Sequence, residues 1–416
     1  MERPEYIEKL KNKMHNGMIK VITGLRRCGK SYLLFNLFYR YLQQSGVKDD
    51  HIIRLQMDDW TNREYRDPDK LYAYVRERVS DEGQYYILLD EVQLVRQFED
   101  VLNGFLHIGN TDTYVTGSNA RFLSKDIITE FRGRGDQIHL QPLSFSEFMT
   151  AYDGHERDGW QQYITFGGLP KLLEMKTDQE KSEYLRTIFE ETYIMDIVER
   201  NRIRNSAELE ELLDVVASSI GGLTNPKKLS DTFRSVKDVT IHPDTVKSYL
   251  DCFEDSFLIS KARRYDVKGK RYINTPMKYY FSDCGLRNAR LGFRQIEETH
   301  LMENVIYNEL IRRGYSVDVG CVDDVFTDEN GKRTQKQLEI DFVCNLGSGR
   351  IYIQSALALP TLEKVSQEQR SLLKVNDSFR KMIVVKDGMS HFNDEGVLIL
   401  NLFDFLMKRT DASLVL

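Results

Sequence analysis

Proline, paired cysteines and long apolar runs are all scarce in this sequence. With 8 prolines in 416 residues and 41% hydrophobic residues, the composition predicts a chain that folds throughout, without a long disordered or linker-like tract. No stretch approaches the roughly 18 uninterrupted apolar residues of a membrane helix, and the first residues contain no apolar signal-peptide core. We therefore expect a protein that has no contact with a membrane.

The cysteines form no recognisable pair. None belongs to a C-x-x-C motif or to a zinc-ligand spacing, and the five are widely scattered: Cys28, Cys252, Cys284, Cys321 and Cys344. Isolated cysteines of this kind are typical of free thiols in a reducing compartment. The pattern argues against a disulfide scaffold and predicts a cytoplasmic location.

A general excess of positive charge is also missing. The formal net charge is -6, so the surface as a whole would repel a polyanion. Any contact with nucleic acid must therefore come from a local basic patch.

The strongest positive signal is a glycine-rich loop between a strand and a helix. The apolar residues 19–23 lead into GLRRCGKS, and the helical pattern YLLFNLFYRYL follows. This is the G-x-x-x-x-G-K-S motif in the context it requires, where successive backbone N–H groups and the helix dipole attract phosphates. The motif predicts ATP as the ligand and these binding residues: Gly24, Leu25, Arg26, Arg27, Cys28, Gly29, Lys30, Ser31 and Tyr32.

The chemistry around the phosphates requires a lysine, a metal site and a water-positioning group. We expect Lys30 to bridge the β and γ phosphates and Ser31 to bind Mg²⁺. The apolar run YYILL ends in Asp90 and Glu91, so Asp90 would hold the magnesium and Glu91 would polarise the attacking water. The alternative for these two acids is the solvated end of a strand.

Two weaker signals follow. The strand candidate TYVT runs into Gly117, Ser118 and Asn119, where Ser118 or Asn119 would sense the γ phosphate, unless the segment is an ordinary turn. Arg132 and Arg134 lie on a glycine-rich corner before the segment QIHL. An arginine can stabilise a transferring phosphate in cis or from a neighbouring subunit, and the alternative is a solvated loop arginine.

These segments together resemble a known family. The strings ITGLRRCGKS, ILLDEVQ, YVTGSNA, GRGDQIHLQPLSFSEF and FGGLP are similar to those of prokaryotic AAA+ type ATPases that carry an uncharacterised carboxyl-terminal domain with a nuclease-like fold. The resemblance covers nearly the whole chain. It implies that Ser118 and Asn119 form the sensor segment and that Arg134 is the arginine finger.

The middle of the chain has the pattern of a winged helix. Helical patterns at residues 208–220, 226–233 and 243–253 precede a strand and a turn at residues 268–270. Between Lys261 and Tyr280 there are seven Lys or Arg against one acid. We place possible DNA contact at residues 261–271. The alternative is a lid on the nucleotide or a surface for a protein partner, and a homo-oligomer is possible.

From Glu303 onward the order of elements resembles the restriction-endonuclease-like core. Active members need a helix acid, a strand acid and an acid-x-Lys on the next strand, because the acids hold a divalent metal and the lysine helps to activate water. Glu303 or Glu309 and Asp341 match, but the third element reads Gln354-Ser355-Ala356. We therefore expect a structural or binding module in which cleavage is disfavoured.

The predicted fold class is α/β, with a P-loop AAA+ type parallel-sheet domain followed by a winged-helix domain and a restriction-endonuclease-like α/β domain. The expected regions are the ATPase core at 1–150, a helical lid or connector at 151–206, the winged helix at 207–290 and the nuclease-like domain at 291–416. We expect ATP hydrolysis with Mg²⁺ to switch the conformation of the later modules on DNA or on a protein partner. The alternatives are an ATP-regulated DNA nuclease and a slow-turnover signalling or partner-binding scaffold.

Overall fold

The chain folds into two compact units. The first comprises Met1–Pro142 with Leu169–Lys171, and the second comprises Leu143–Gly168 with Leu172–Leu416. The structure is a computed structural model that describes residues 2–117, 131, 133–237, 240–327 and 333–409.

A five-stranded parallel sheet organises the first unit. Its strands lie in the order β2-β3-β4-β1-β5, and all neighbours are parallel. Their bounds are β1 Ile19–Gly24, β2 Ile52–Gln56, β3 Tyr85–Asp90, β4 Thr111–Thr116 and β5 Gly135–Leu140. Every residue of β1 and β3 is buried, which explains why these strands read as apolar runs. Because the strands are parallel, their carboxyl ends gather at one edge, where open sheets bind ligands.

The helices of the first unit lie in its connections. They span Pro4–Lys11, Pro68–Arg78 and Phe98–Phe105, with 3₁₀ turns at Asp49–His51, Trp60–Arg66 and Val92–Leu94. The helix that follows β1 continues from Lys30–Tyr32 through a π-helical segment, Leu33–Phe38, to Tyr39–Gln44. Its Leu33, Leu34, Leu37 and Phe38 side chains are buried, so packing holds the start of this helix directly behind the glycine-rich loop.

A mixed eight-stranded sheet organises the second unit. The order is β12-β13-β11-β10-β9-β8-β6-β7. The bounds are β6 Ile259–Asp266, β7 Arg271–Phe281, β8 Ser316–Thr327, β9 Arg333–Leu346, β10 Gly349–Ala356, β11 Arg380–Val385, β12 His391–Phe392 and β13 Leu398–Asn401. The pairs β6/β8, β10/β11 and β11/β13 are parallel and the others antiparallel.

The helices of the second unit include all those that the sequence pattern predicts. They span Phe145–Met149, Glu156–Phe166, Asp178–Ile188, Phe189–Ile194 (a π-helical segment), Met195–Asn201, Ser206–Ser218, Pro226–Lys237, Pro243–Asp255, Cys284–Arg290, Glu298–Arg312, Leu362–Leu373 and Leu402–Met407. Among the described residues, no helix combines the length and the apolar character needed to cross a bilayer.

The β6–β7 hairpin belongs to this larger sheet. Strand β6 pairs with β7 on one side and with β8 on the other, where Arg264 lies opposite Val319. A bridge between Thr224 and Met277 connects β7 to the segment before the helix Pro226–Lys237. Strand β6 therefore satisfies its backbone hydrogen-bonding groups on both sides. The sheet contains strands from before and after residue 290, where the sequence pattern places the end of the winged helix.

Candidate functional site

The glycine-rich loop lies at the carboxyl end of β1, next to the carboxyl end of β5. Gly24 has a φ of +141°, and a Cβ there would lie 2.0 Å from the carbonyl oxygen of Leu140. Gly29 has a φ of +100° and precedes the helix that starts at Lys30. Only glycine fits the close approach at position 24, so the motif's first glycine is needed for packing and for the turn alike.

Lys30 is held by the loop itself. Its ammonium group donates to the carbonyl oxygens of Gly24 and Leu25, each at 3.1 Å, and the side chain is buried. Cys28 is also buried, and burial raises the pKa of its thiol. This thiol donates to the carbonyl of Leu140 at 3.4 Å. The loop is therefore closed around the lysine, while Arg27 in the middle of the loop and Tyr32 directly after it are exposed.

Arg3 supports the loop from the amino-terminal segment. Its guanidinium group donates to the backbone carbonyls of Gln141 at 3.0 Å and Cys28 at 3.4 Å, and the residue is buried. The sequence pattern did not indicate this role, because an arginine near the amino terminus carries no motif.

Asp90 ends β3 beside the loop, and two hydroxyl groups donate to it. Thr116, the last residue of β4, donates to its Oδ1, and Ser31 also forms a side-chain hydrogen bond with it. Burial raises the pKa of the Asp90 carboxyl, while these two hydrogen bonds lower it. The arrangement brings the two predicted magnesium ligands, Ser31 and Asp90, together, although they are far apart in the sequence.

Glu91 sits in a special backbone conformation. Its φ is +49°, in the left-handed region, and its backbone N–H donates to the Thr116 hydroxyl at 3.2 Å. A non-glycine residue with positive φ is uncommon and persists where its surroundings hold it. The Gln93 side-chain amide donates to the Glu91 carboxylate. Thr116 therefore contacts the Asp90 carboxylate and the Glu91 backbone, and sequence reasoning missed it because a threonine at the end of a strand has no signature.

These residues fit a nucleoside triphosphate with Mg²⁺. The loop closes over a backbone cradle, Lys30 lies at its centre, and Ser31 and Asp90 supply the oxygen ligands that Mg²⁺ prefers. Glu91 follows at the same edge of the sheet. The structure thus assembles one site from the ends of β1, β3 and β4.

Arg134 is placed at the other end of the sheet. It directly precedes β5, whose first residue Gly135 lies opposite Ile19, whereas Gly24 at the loop lies opposite Leu140. Arg134 lies six residues before Leu140, so at about 3.3 Å per residue its backbone is about 20 Å from the loop, and its side chain is exposed. It is therefore too far away for its own nucleotide. The predicted residues Ser118, Asn119 and Arg132 lie outside the described residues.

Most cations of the β6–β7 hairpin have partners within the second unit. Lys261 pairs with Glu254 at 2.5 Å, Arg264 donates to Cys321 Sγ at 2.9 Å, and Lys268 donates to a backbone carbonyl at 3.0 Å. Arg263 packs over the ring of Tyr272, with 4.1 Å to its centroid. Of the seven cations counted in the sequence, Arg264 is half-buried and Lys278 is buried, while five remain exposed: Lys261, Arg263, Lys268, Lys270 and Arg271.

The predicted nuclease-like residues converge only in part. Glu303 and Asp341 are both buried and meet around Lys278 of β7. Glu309 instead pairs with Arg312 and Arg313, so of the two helix acids it is Glu303 that lies beside Asp341. Gln354 accepts the backbone N–H of Asp341 at 3.4 Å, so it borders the cluster without adding charge.

Comparisons with known proteins cover nearly the whole chain. Residues 16–149 match the family described as AAA domain, and residues 157–297 match one described as Domain of unknown function (DUF8612). The chain is 31% identical over 415 residues to an uncharacterized protein of Haemophilus influenzae, covering 98% of this chain and 99% of that protein. It is 25% identical over 394 residues to an uncharacterized protein of Methanocaldococcus jannaschii, covering 91% and 83%.

Similar solved structures include the Aeropyrum pernix ORC1 protein in complex with DNA. That likeness has 10% sequence identity and a TM-score of 0.30, and it covers 70% of this chain and 92% of that chain. A TM-score this low carries no argument for the present chain.

Proposed function

Because the chain belongs to the same family as the uncharacterized Haemophilus influenzae protein and its first third matches an AAA domain, we propose that it hydrolyses ATP with Mg²⁺. In this proposal, hydrolysis drives a conformational switch that acts on the winged-helix and nuclease-like modules of the second unit. The switch repositions these modules on DNA or on a protein partner, including a second copy of the chain.

One observation carries the proposal: the Thr116 hydroxyl links the magnesium ligand to the water-positioning acid. It donates to Asp90 and accepts the backbone N–H of Glu91. ATP and Mg²⁺ supply the phosphoryl group and the charge neutralisation, while Lys30, Ser31 and Asp90 hold them. Glu91 then orients a water in line with the γ phosphate. A solvated strand end would not need one buried hydroxyl to hold both the Asp90 carboxylate and the backbone of Glu91.

The test separates binding from hydrolysis. Lys30→Ala removes the charge that neutralises the phosphates, so we expect the loss of ATP binding, measured by fluorescent-nucleotide titration. Glu91→Gln keeps the cradle intact, so we expect wild-type binding with hydrolysis slowed by about 10²-fold or more. Equal steady-state hydrolysis by wild type and Glu91→Gln would remove the role given to Glu91.

A specific observation also favours the slow-turnover scaffold. The Gln93 amide donates to Glu91, and this bond would compete with a water for the same carboxylate. If Gln93 restrains Glu91, basal turnover is low and a partner or nucleotide must release it. Gln93→Ala should then raise the basal ATPase rate without changing ATP affinity. An unchanged rate would remove this support for the scaffold hypothesis.

The DNA partner rests on the exposed cations of the hairpin. Arg263, Lys268 and Lys270 are exposed in a chain of net charge -6, and clustered cations of this kind release counterions when they bind phosphates. The decisive experiment is steady-state ATPase activity with and without DNA. Stimulation of the ATPase rate by DNA supports DNA as the partner. An ATPase rate that DNA does not change, even at low salt, favours a protein partner.

A further inference from the structure

Lys278 lies at the centre of three carboxylates in the second unit. Its Nζ is 2.7 Å from Glu339 Oε1, 2.9 Å from Glu303 Oε1 and 3.5 Å from Asp341 Oδ1. The lysine comes from β7, Glu303 from the helix Glu298–Arg312, and the other two acids from β9. The cluster thus joins three separate elements, and we call it the Lys278 cluster.

The lysine of this cluster is charged although it is buried. Burial disfavours the ammonium form, but the attraction of Asp341, Glu303 and Glu339 outweighs it and raises the pKa of Lys278. Tyr280 adds a hydroxyl that donates to Glu303 at 2.6 Å. The backbone N–H of Ser355 donates to Asp341 at 2.9 Å. Each buried acid therefore has a cation and at least one further donor, as a stable buried charge cluster requires.

The resemblance to the restriction-endonuclease-like core implies a divalent metal at these acids, and the residues present do not fit one. Within the described residues, no group of three or more His, Cys, Asp or Glu side chains is placed to hold a metal ion. The centre of the acids is taken by an ammonium group. Gln354 stands where active members have a carboxylate, so the third acid of the cluster is Glu339 of β9 instead, and it contacts the ammonium group.

We propose that Lys278 replaces the divalent cation of the nuclease-like module, so that this cluster binds no metal and cleaves no DNA. The ammonium group supplies the positive charge that the three acids need, and it does so from within the chain. A metal entering the same space would meet a fixed positive charge within a few ångströms and would have to displace it. The module is then a metal-independent charge cluster that fixes β7 to β9 and to the helix of Glu303.

Ala356 is buried at the position where active members carry the water-activating lysine. It packs among apolar side chains that include Tyr352, Leu372 and Ile383. Residue 356 therefore belongs to the core of the second unit and supplies no charged group to the Lys278 cluster.

The experiment counts bound Mn²⁺ by electron paramagnetic resonance on the full-length, nucleotide-free protein. Wild type and Asp341→Asn should bind the same amount of Mn²⁺, because no ion sits at the cluster. Lys278→Met should gain one Mn²⁺ per chain, and the double variant Lys278→Met/Asp341→Asn should lose it again. Asp90→Asn identifies any Mn²⁺ that belongs to the nucleotide site.

Three results would overturn the proposal. The first is Mn²⁺ binding by wild type that disappears in Asp341→Asn or in Glu339→Gln but persists in Asp90→Asn. The second is a folded Lys278→Met that gains no Mn²⁺. If Lys278→Met does not fold, the comparison of wild type with Asp341→Asn decides alone. Nicking of supercoiled plasmid by wild type with Mn²⁺, abolished in Asp341→Asn, would contradict the proposal as well.

Discussion

The Thr116 hydroxyl donates a hydrogen bond to Oδ1 of Asp90, so the end of β4 holds the carboxylate that ends β3. The two strands are neighbours in the sheet, with Leu89 opposite Val115. Thr116 is fully buried, and its contact with Asp90 places it in the interior of the site.

Replacing Thr116 by valine should impair Mg²⁺ use and hydrolysis while the fold persists, since valine has nearly the same shape. Asp90 would lose a hydrogen bond that lowers its pKa, and the Glu91 N–H would lose its acceptor. A lost hydrogen bond to a charged group costs about 1.5–3 kcal/mol, so we expect about a tenfold or greater fall in kcat with a raised Mg²⁺ requirement. Steady-state ATPase assays over a Mg²⁺ series measure both.

Two matched variants test whether the hydroxyl is responsible. Thr116→Ser keeps the hydroxyl and should restore most of the activity. Thr113→Val makes the same change on the same strand at a buried residue opposite Ile87, away from Asp90. A Thr113→Val protein as impaired as Thr116→Val would mean that packing of β4, and not the hydrogen bond, explains the loss.

Arg134 should act only on the nucleotide of a neighbouring copy, because its backbone lies about 20 Å from its own loop at the strand rise of about 3.3 Å per residue. ATPase activity per subunit should therefore rise with protein concentration. In Arg134→Ala the rise in activity with concentration should be at least about tenfold smaller, while the protein still binds ATP. The control is Arg76→Ala, an exposed arginine on the helix Pro68–Arg78 of the same unit. A concentration-independent rate that survives Arg134→Ala would identify it as a solvated loop arginine.

DNA affinity, where it is measured, should depend on the exposed hairpin cations. The double variant Arg263→Ala/Lys270→Ala removes two positive charges, so we expect weaker binding. The negative slope of log K against log salt concentration should become shallower by about 2. The matched control is Lys227→Ala/Lys228→Ala, two exposed lysines on the helix Pro226–Lys237. Fluorescence anisotropy at several salt concentrations compares them. An equal effect of both pairs would place the DNA contact outside the hairpin.

His139 should make the first unit sensitive to acid. Burial, together with the charge of Lys30, lowers the pKa of this histidine from 6.5 to about 4. Between these two values the unfolded chain binds a proton at this histidine and the folded chain does not, so the free energy of unfolding decreases as pH falls from 6.5 towards 4. Because the side chain is partly exposed, we expect an effect of about 1–3 kcal/mol.

The variant for this test is His139→Asn, which does not titrate and keeps a polar atom near the Thr23 hydroxyl, the 3.4 Å neighbour of Nδ1. Urea unfolding midpoints of both proteins should converge between pH 7 and pH 4.5, as wild type loses stability faster. Parallel pH curves for the two proteins would show that His139 titrates normally in the folded state.

The sequence by itself determined the nucleotide site's main residues. The loop from Gly24 to Ser31 and the pair Asp90 and Glu91 are continuous motifs, each attached to a strand whose apolar character reflects burial on both faces. The match of residues 16–149 to an AAA domain confirms the predicted P-loop, ATP-binding class. The three helices predicted at residues 208–220, 226–233 and 243–253 are present in the second unit, because amphipathic patterns are local. The strand β8, Ser316–Thr327, was not predicted.

Only the tertiary structure decided which distant residues meet. Thr116 reaches Asp90 through strand pairing, and Lys278 reaches three acids on other elements, so neither contact has a spacing that a motif can record. The sequence counted Lys278 among the cations of a basic patch, whereas the fold buries it and neutralises it with carboxylates. For Arg134 the sequence left action in cis and action in trans open, and its distance from the loop along β5 favours action in trans. Motifs describe residues that are neighbours along the chain, whereas the charge balance of a buried site depends on residues that packing brings together.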